Sequence, residues 1–412
     1  MDRRKSIARV FGACFVLLLL LAGVCLAVQA GAAYRESRDV PRPETAPDVP
    51  ASTPHVHAFD RRSGICTVCG EPCPHDEGWD EEHRCLRCGA ACRHGDGFSP
   101  EGVCLACGWA CPHERHDPET ACCELCGHQC WHSFGMRALC EGCGREAPLT
   151  DVSLPGYYFE PAEHQGTCIR EALPGGSGRT HEIAVWTPYG YDGTTPCNVA
   201  VMIHGDGGSC DDWTDKEEWT PEGTIRFCTV YDHMMEEHLC APFIVVGINN
   251  DGMGKDPVYG ERLIEEVVLP HIARNYATYM EGGAPDQIRA ARDHIAIGGL
   301  SRGSIYTYYI GMPRCLDVAA NFCCFSNSYL DGLERQLEGE ELKDLSIRSY
   351  IAVIGLKDVR EYNEDHRAAY DYLCENVERI RDGENARFFE VEDGHDFLNW
   401  TAAFYDALLL MF

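Results

Sequence analysis

Gly299, Ser301 and Gly303 form a Gly-x-Ser-x-Gly pattern inside GGLSRGS, residues 298–304. A serine hydroxyl is a weak nucleophile. To attack an acyl carbon it needs a base that takes its proton, and the base needs a carboxylate that fixes its tautomer. Downstream, GLKD supplies Asp358 and EDGHDFLNW supplies His395, in the chain order Ser, acid, His expected of a serine hydrolase built on an α/β sheet. Upstream, the HGDGG stretch at 204–208 has glycines that let backbone amides turn toward a developing oxyanion. Singly, each residue has an ordinary reading: Ser301 in a glycine-rich loop, Asp358 as a helix N-cap, His395 on the surface. Together, in order and at the ends of apolar runs, they point to a serine acting on an acyl carbon.

A second set of residues has the chemistry of a metal site. The chain contains 26 cysteines, 15 of them between Cys66 and Cys143. Cys66, Cys85, Cys104 and Cys123 stand nineteen residues apart and open the units CTVCGEPCPH, CLRCGAACRH, CLACGWACPH and CELCGHQCWH; a truncated copy, CEGCG, starts at Cys140. A repeat of this kind means a stacked or beaded array. Zn²⁺ takes four N or S ligands tetrahedrally, and a C-x-x-C turn supplies two of them. Pairing each C-x-H with the C-x-x-C downstream leaves no half-site orphaned. Five sites result: His55, His57, Cys66 and Cys69; Cys73, His75, Cys85 and Cys88; Cys92, His94, Cys104 and Cys107; Cys111, His113, Cys123 and Cys126; Cys130, His132, Cys140 and Cys143. Four ligands close each site, so about five structural Zn²⁺ are expected. The competing reading is a disulfide scaffold. It gives no reason for histidines in phase with the cysteines.

The elements that must position these groups change character along the chain. From about residue 156, HEIAVWTP, NVAVMIHG, FIVVGIN, DHIAIGG, YIAVIGL and RFFEVED read as strands, several as continuous apolar runs of the sort a covered parallel sheet needs. GERLIEEVVLPHIARNYA and NEDHRAAYDYLCENVERI read as helices between them, so the expected fold is a doubly wound α/β sheet with helices on both faces. Ser301 then falls on the turn between the strand at 293–299 and a helix starting at 303.

The first residues read as a targeting segment. Arg3, Arg4, Lys5 and Arg9 precede an uncharged apolar run at 11–28, consistent with a cleavable signal peptide or an uncleaved anchor over 1–32. The basic flank would stay inside, leaving the remainder at the cell surface or secreted. Residues 33–54, rich in proline, form a spacer. The array occupies 55–146, a linker 147–155, and the α/β domain 156–412. With 35 Lys plus Arg against 65 Asp plus Glu, the formal charge of -30 argues against nucleic acid as a partner.

The second half resembles the esterase D type of α/β-hydrolase, most closely the feruloyl and acetyl-xylan esterases of carbohydrate esterase family one. Its IHGDGGSCDDW, GGLSRGS, GLKD and DGHDFLNW are similar to the LHGxGGSxxDW, AGLSMGG, GTxD and GGHDFxxW of that family, in the same order. The resemblance implies Ser301 as nucleophile, Asp358 as acid, His395 as base and the amides of Asp206 and Arg302 as oxyanion hole. Trp213 and Trp400, within the matching motifs, are taken as substrate-binding. No cofactor is expected for the chemistry, and the substrate is an ester, possibly carbohydrate-linked. Arg302 and Asp206 replace apolar residues of the family pattern, and Ser304 replaces a glycine. Alternatives are acyl transfer on the same triad and a zinc-dependent binding protein with an inactive hydrolase domain; the array's own partner is not identified.

Overall fold

The computed structural model describes residues 58–412, except 62–64, 68–69, 93, 95–96, 100–101, 114, 118–119, 151, 176–179 and 221–222. The 1–32 targeting segment, the 33–54 spacer and most of the first expected metal site (His55, His57 and Cys69) therefore lie outside the described residues. Among the described residues, no helix is long and apolar enough to cross a membrane.

Among the described residues, ten strands are present. They are β1 (Thr167–Pro174), β2 (Thr180–Thr187), β3 (Asn198–Ile203), β4 (Glu218–Thr220), β5 (Gly223–Ile225), β6 (Phe243–Ile248), β7 (Ile295–Leu300), β8 (Asn321–Phe325), β9 (Ser349–Gly355) and β10 (Ala386–Val391). β4 and β5 form a separate hairpin. The other eight make one sheet in the order β1-β2-β6-β3-β7-β8-β9-β10. β1, β2 and β6 are joined antiparallel, and every pairing from β6 to β10 is parallel. Every residue of β3, β6, β7, β8 and β9 is buried. A strand covered on both faces gains by being apolar throughout, which is why these segments show no polar alternation.

The alternation survives in where each side chain goes. Val199, Val201 and Ile203 of β3 enter one core, while Ala200 and Met202 enter the other. Helix α1 (Phe227–Glu236) covers the second face. On the first face lie α2 and α3 (Pro285–Ala290); α2 is α-helical at Pro257–Arg262 and Leu269–Asn275 with a π-helical stretch at Leu263–Val268 between. Helix α4 opens at Arg302–Tyr306 after β7, and α5 (Leu333–Leu337) and α6 (Arg360–Asn376) complete that face. α7 (Phe397–Met411) returns to the second face and is buried along almost its whole length, so it is apolar all round where a surface helix would be striped. Its one internal carboxylate, Asp406, accepts from the Thr150 amide at 3.0 Å.

The described residues fall into two compact units: one holds the chain up to Phe98 together with Cys104–Trp109, the other Ser99–Val103 with Ala110–Phe412. The division runs through the repeats. Within the larger unit the last repeat is part of the hydrolase core: Cys130, Phe134, Met136 and Cys140 share a buried cluster with α1 and α7. Arg387 of β10 donates to the Met136 carbonyl at 3.3 Å.

Candidate active site

The sheet order reverses around β3, whose partners β6 and β7 lie on either side. Loops leaving the carboxyl ends of such strands diverge, and the crevice between them is where ligands gather in open α/β sheets. The loop after β3 carries HGDGG, and the turn after β7 carries Ser301.

Ser301 has φ 51° and ψ −113°, a left-handed conformation that costs an L-residue on the order of 1–3 kcal/mol unless its surroundings enforce it. The surroundings do. The Ser301 amide donates to the Phe325 carbonyl of β8 at 2.8 Å, extending the ladder to the turn itself. A Cβ on Gly303 would collide with the Ile203 carbonyl, and one on Gly299 would sit 2.5 Å from the Gly303 carbonyl carbon. Both glycines of the pattern are thus required by close backbone approach. Ser304, where the family pattern has glycine, is buried and donates to the Asn327 carbonyl at 2.5 Å.

Asp358 lies three residues past the end of β9, and His395 lies between β10 and α7. Their loops are tied together: the Lys357 amide donates to the Asp393 carbonyl at 2.9 Å and the Leu356 amide to Val391 at 2.8 Å. His395 Nδ1 stands 2.9 and 3.1 Å from the two Asp358 carboxylate oxygens, and Nε2 stands 2.9 Å from Ser301 Oγ. Nδ1–H donating to the carboxylate leaves the Nε2 lone pair facing the hydroxyl, the tautomer a general base needs. The Asp358 side chain is fully shielded and that of His395 partly open. The neighbouring carboxylates are engaged elsewhere: Asp393 accepts from Ser153 Oγ, and Asp396 caps α7 through the Asn399 amide at 3.1 Å. The imidazole is held edge-on against Trp400, with centroids 5.0 Å apart.

The 204–208 loop is fixed from below. His204 is buried; its Nδ1 donates to the Gly205 carbonyl at 2.6 Å and its Nε2 accepts the Asn250 amide at 3.2 Å. A Cβ on Gly205 would lie 2.8 Å from Leu300 Cδ1 and 3.3 Å from Ser301 Cβ, so the loop runs directly against Ser301. Arg302 opens α4, and a helix-opening amide has no carbonyl one turn back to bond. Asp206, in this loop, shares a cleft with Ser301, and Arg302 follows Ser301 in the chain.

A cleft of about 400 Å³ contains Ser301, His395 and the 205–208 loop, and is walled by Lys216, Trp219, Phe397 and Trp400 among others. Of the two tryptophans expected at the substrate, Trp400 lines this cleft and Trp213 does not. Trp213 is wholly buried against Phe227 and Phe404, because the Cys210–Trp213 helical turn points it into the core below the loop. The exposed tryptophan at the cleft is Trp219, on the β4–β5 hairpin. The sequence carries no signal for it, since a three-residue strand has no readable period. Lys216 bonds Glu218 at 2.7 Å and Asp212 at 2.9 Å; burial opposes its charge, but the two carboxylates hold its pKa above the ordinary lysine value.

Among the described residues, the repeats gather four Cys/His sets: Cys73, His75, Cys85 and Cys88; Cys92, His94, Cys104 and Cys107; Cys111, His113, Cys123 and Cys126; Cys130, His132, Cys140 and Cys143. These join each C-x-H to the C-x-x-C downstream. Within each set all ligand atoms lie within 4.8 Å of one another. The Cys73–Cys85, Cys92–Cys104, Cys111–Cys123 and Cys130–Cys140 sulfurs are 3.8, 3.8, 3.6 and 3.7 Å apart. A disulfide would need about 2.05 Å. Four metal bonds of about 2.3 Å directed tetrahedrally set sulfurs about 3.8 Å apart, so the donor geometry fits a tetrahedral ion. The backbone repeats as well. His75, His94 and His113 have φ of 53°, 54° and 51°, and the glycine after each C-x-x-C is left-handed, with its amide closing on the first cysteine's carbonyl. Burial opposes thiolate formation at Cys104 and Cys123. Amides of the C-x-x-C turn and the facing imidazole nevertheless bring Cys104 and Cys123 down to about 6.

The fold and site together define an α/β-hydrolase arrangement: a mostly parallel eight-stranded sheet with a serine on a strained strand-to-helix turn and an acid and a histidine at later strand ends. No family model matches the chain. It is similar to endo-1,4-beta-xylanase Y of Acetivibrio thermocellus, at 29% identity over 197 residues. That alignment takes in 47% of this chain and only 17% of that protein. Among solved structures, a feruloyl esterase module from Clostridium thermocellum, a serine-to-alanine mutant complexed with sinapinate, superposes with a TM-score of 0.55 at 23% identity. Another, described as FAE, gives 0.55 at 24%. Each covers 64% of this chain and 94% of its own. The resemblance to feruloyl esterases of carbohydrate esterase family one thus extends to the fold.

Proposed function

We propose that this chain is a serine carboxylesterase acting on acyl esters through a covalent acyl-enzyme. The observation that carries the reading is the unbroken chain Ser301 Oγ–His395 Nε2 (2.9 Å) and His395 Nδ1–Asp358 (2.9 Å), with Ser301 on a strained turn. Ser301 Oγ attacks the ester carbonyl while His395 takes its proton. The amides of Asp206 and Arg302 stabilise the oxyanion. Collapse of the tetrahedral intermediate expels the alcohol, which leaves with the proton from His395. Water, deprotonated by His395, then adds to the acyl carbon, and the acid departs as Ser301 regains its proton. Asp358 keeps the imidazole oriented and stabilises its cationic form.

The aromatic walls Trp219, Phe397 and Trp400 favour an aryl or sugar-bearing ester. The neighbours that bind sinapinate or are named xylanase point to hydroxycinnamoyl or acetyl esters of carbohydrate. The domains are proposed as 55–146 for the repeats and 156–412 for the esterase, at the cell surface or secreted. The four described Cys/His sets are proposed to hold structural Zn²⁺: buried thiols at tetrahedral separations, with imidazole, are the donor set this ion prefers. A panel of aryl esters from acetate to ferulate, with fluorophosphonate labelling of Ser301, tests the activity. An unlabelled Ser301 and no turnover of any ester would leave the inactive-hydrolase reading.

A further inference from the structure

Arg302 and Asp206, the two charged departures from the family pattern, are each other's partner. Arg302 Nε donates to both Asp206 oxygens at 3.2 and 3.1 Å, and Nη2 donates to Oδ2 at 3.0 Å. Among the described residues, these are the side-chain hydrogen bonds that join the 204–208 loop to the 301–303 turn. The two side chains are 42% and 71% exposed, and a pair so open to solvent does little for stability. Its location gives it another role. Each of the two residues owns one of the amides proposed above as oxyanion donors, and an oxyanion hole works only when both donors are fixed before charge develops. A carboxylate attached to one of those residues is by itself harmful, because its negative charge opposes the oxyanion.

We propose that Arg302 and Asp206 are positioning residues forming a charge-neutral clasp: Arg302 holds the Asp206 carboxylate away from the oxyanion and ties the two donor loops at one spacing. The proposal rests on the reading of Ser301 as nucleophile. It predicts an asymmetry. Removing Arg302 alone frees a repelling carboxylate, removing Asp206 alone leaves a cation that the oxyanion tolerates, and removing both loses only the tie.

The test uses the full chain, with kcat and KM for an aryl acetate measured for Arg302→Met, Asp206→Asn and the double variant. Arg302→Met is expected to lower kcat about 10- to 50-fold with KM within about threefold, part of the loss recovering at high ionic strength as the free carboxylate is screened. Adding Asp206→Asn to it is expected to restore at least about fivefold, and Asp206→Asn alone to cost less than Arg302→Met. A merely structural pair gives equal losses in the two single variants and no recovery in the double, and that result overturns the proposal. So does an Arg302→Met kcat within twofold of the unaltered protein. Should Arg302→Met not fold, Arg302→Gln is read against Arg302→Gln with Asp206→Asn in the same way. Ser301→Ala runs in parallel: if it is inactive while Arg302→Met is normal, the clasp alone fails, and if it is active, the clasp and the nucleophile fail together.

Discussion

The sheet and the repeats solve the problem of a stable interior in opposite ways. In the sheet, Val201, Ile203, Val246 and Ile297 are fully buried and sit among other aliphatic side chains, so removal of apolar surface from water holds the region together. In the repeats most of the buried positions are cysteines. The small cluster of the first unit is Cys73, Cys85, Cys88 and Ala90, edged by Phe59 and Trp79. The leucines inside the C-x-x-C turns, Leu86, Leu105 and Leu125, are 60%, 66% and 53% exposed. A segment that buries thiols and leaves leucine in water has the pattern of one that metal coordination organises. The last repeat is a hybrid: Cys130 and Cys140 lie in one cluster with Phe134, Met136 and the helices of the hydrolase.

The largest effect expected concerns the sheet's site. Ser301→Ala lowers kcat a thousandfold or more without shifting Tm, because no packing is lost; turnover within about tenfold of the unaltered protein sinks the assignment. Asp358→Asn comes next, at a hundredfold or more, by leaving His395 in the wrong tautomer, whereas Asp393→Asn and Asp396→Asn stay within about tenfold. A pH-rate profile with the four variants side by side separates these outcomes.

Metal removal divides the repeats. With on the order of 10 kcal/mol of folding energy per structural zinc, a chelator is expected to unfold the sets at Cys73 and Cys92 while ester hydrolysis persists. Cys140→Ser is expected to lower the hydrolase Tm by several degrees, and Cys85→Ser to leave it unchanged, since only the former sits in the hydrolase core. Equal Tm for the two variants erases the distinction between hybrid and free repeats.

A smaller effect is pH-dependent. His366 is fully buried, donates through Nε2 to the Cys324 carbonyl at 3.1 Å, and is pushed down to about 4 by burial. Its folded pKa lies below the unfolded value of about 6.5, so on acidification the unfolded chain binds the proton first. Stability contributed by neutral His366 is full above about 6.5 and falls as pH drops toward 4, by on the order of 2–3 kcal/mol. His366→Gln, which cannot titrate, should flatten urea midpoints between pH 7 and 5; an unchanged slope assigns the acid sensitivity elsewhere. Smallest of all, Leu86→Ser is expected to move stability by less than about 0.5 kcal/mol, where Val201→Ala costs about 1–3 kcal/mol, as denaturant titration would show.

Much of this was readable in one dimension. The nineteen-residue period and the phase of histidine with cysteine are local facts, because a C-x-x-C turn and the C-x-H that completes its site lie within about twenty residues. The parallel strands were legible because a strand covered on both faces must be apolar throughout, and the serine elbow because two close backbone approaches admit only glycine. The chain order of Ser301, Asp358 and His395 could be read, Asp358 included, because it follows an apolar strand; what only the tertiary structure adds is that Asp393 and Asp396 are engaged with Ser153 and the α7 cap. Trp213 and Trp219 are six residues apart and equally aromatic; burial under the 204–208 loop separates them, and burial is decided by elements distant in sequence. The same holds for Arg302 and Asp206. Ninety-six positions apart, each looked like an isolated charge, and only the adjacency of β3 and β7 made them a pair. Sequence fixes what depends on neighbours along the chain; side-chain partnership across strands depends on sheet order, which no local pattern encodes.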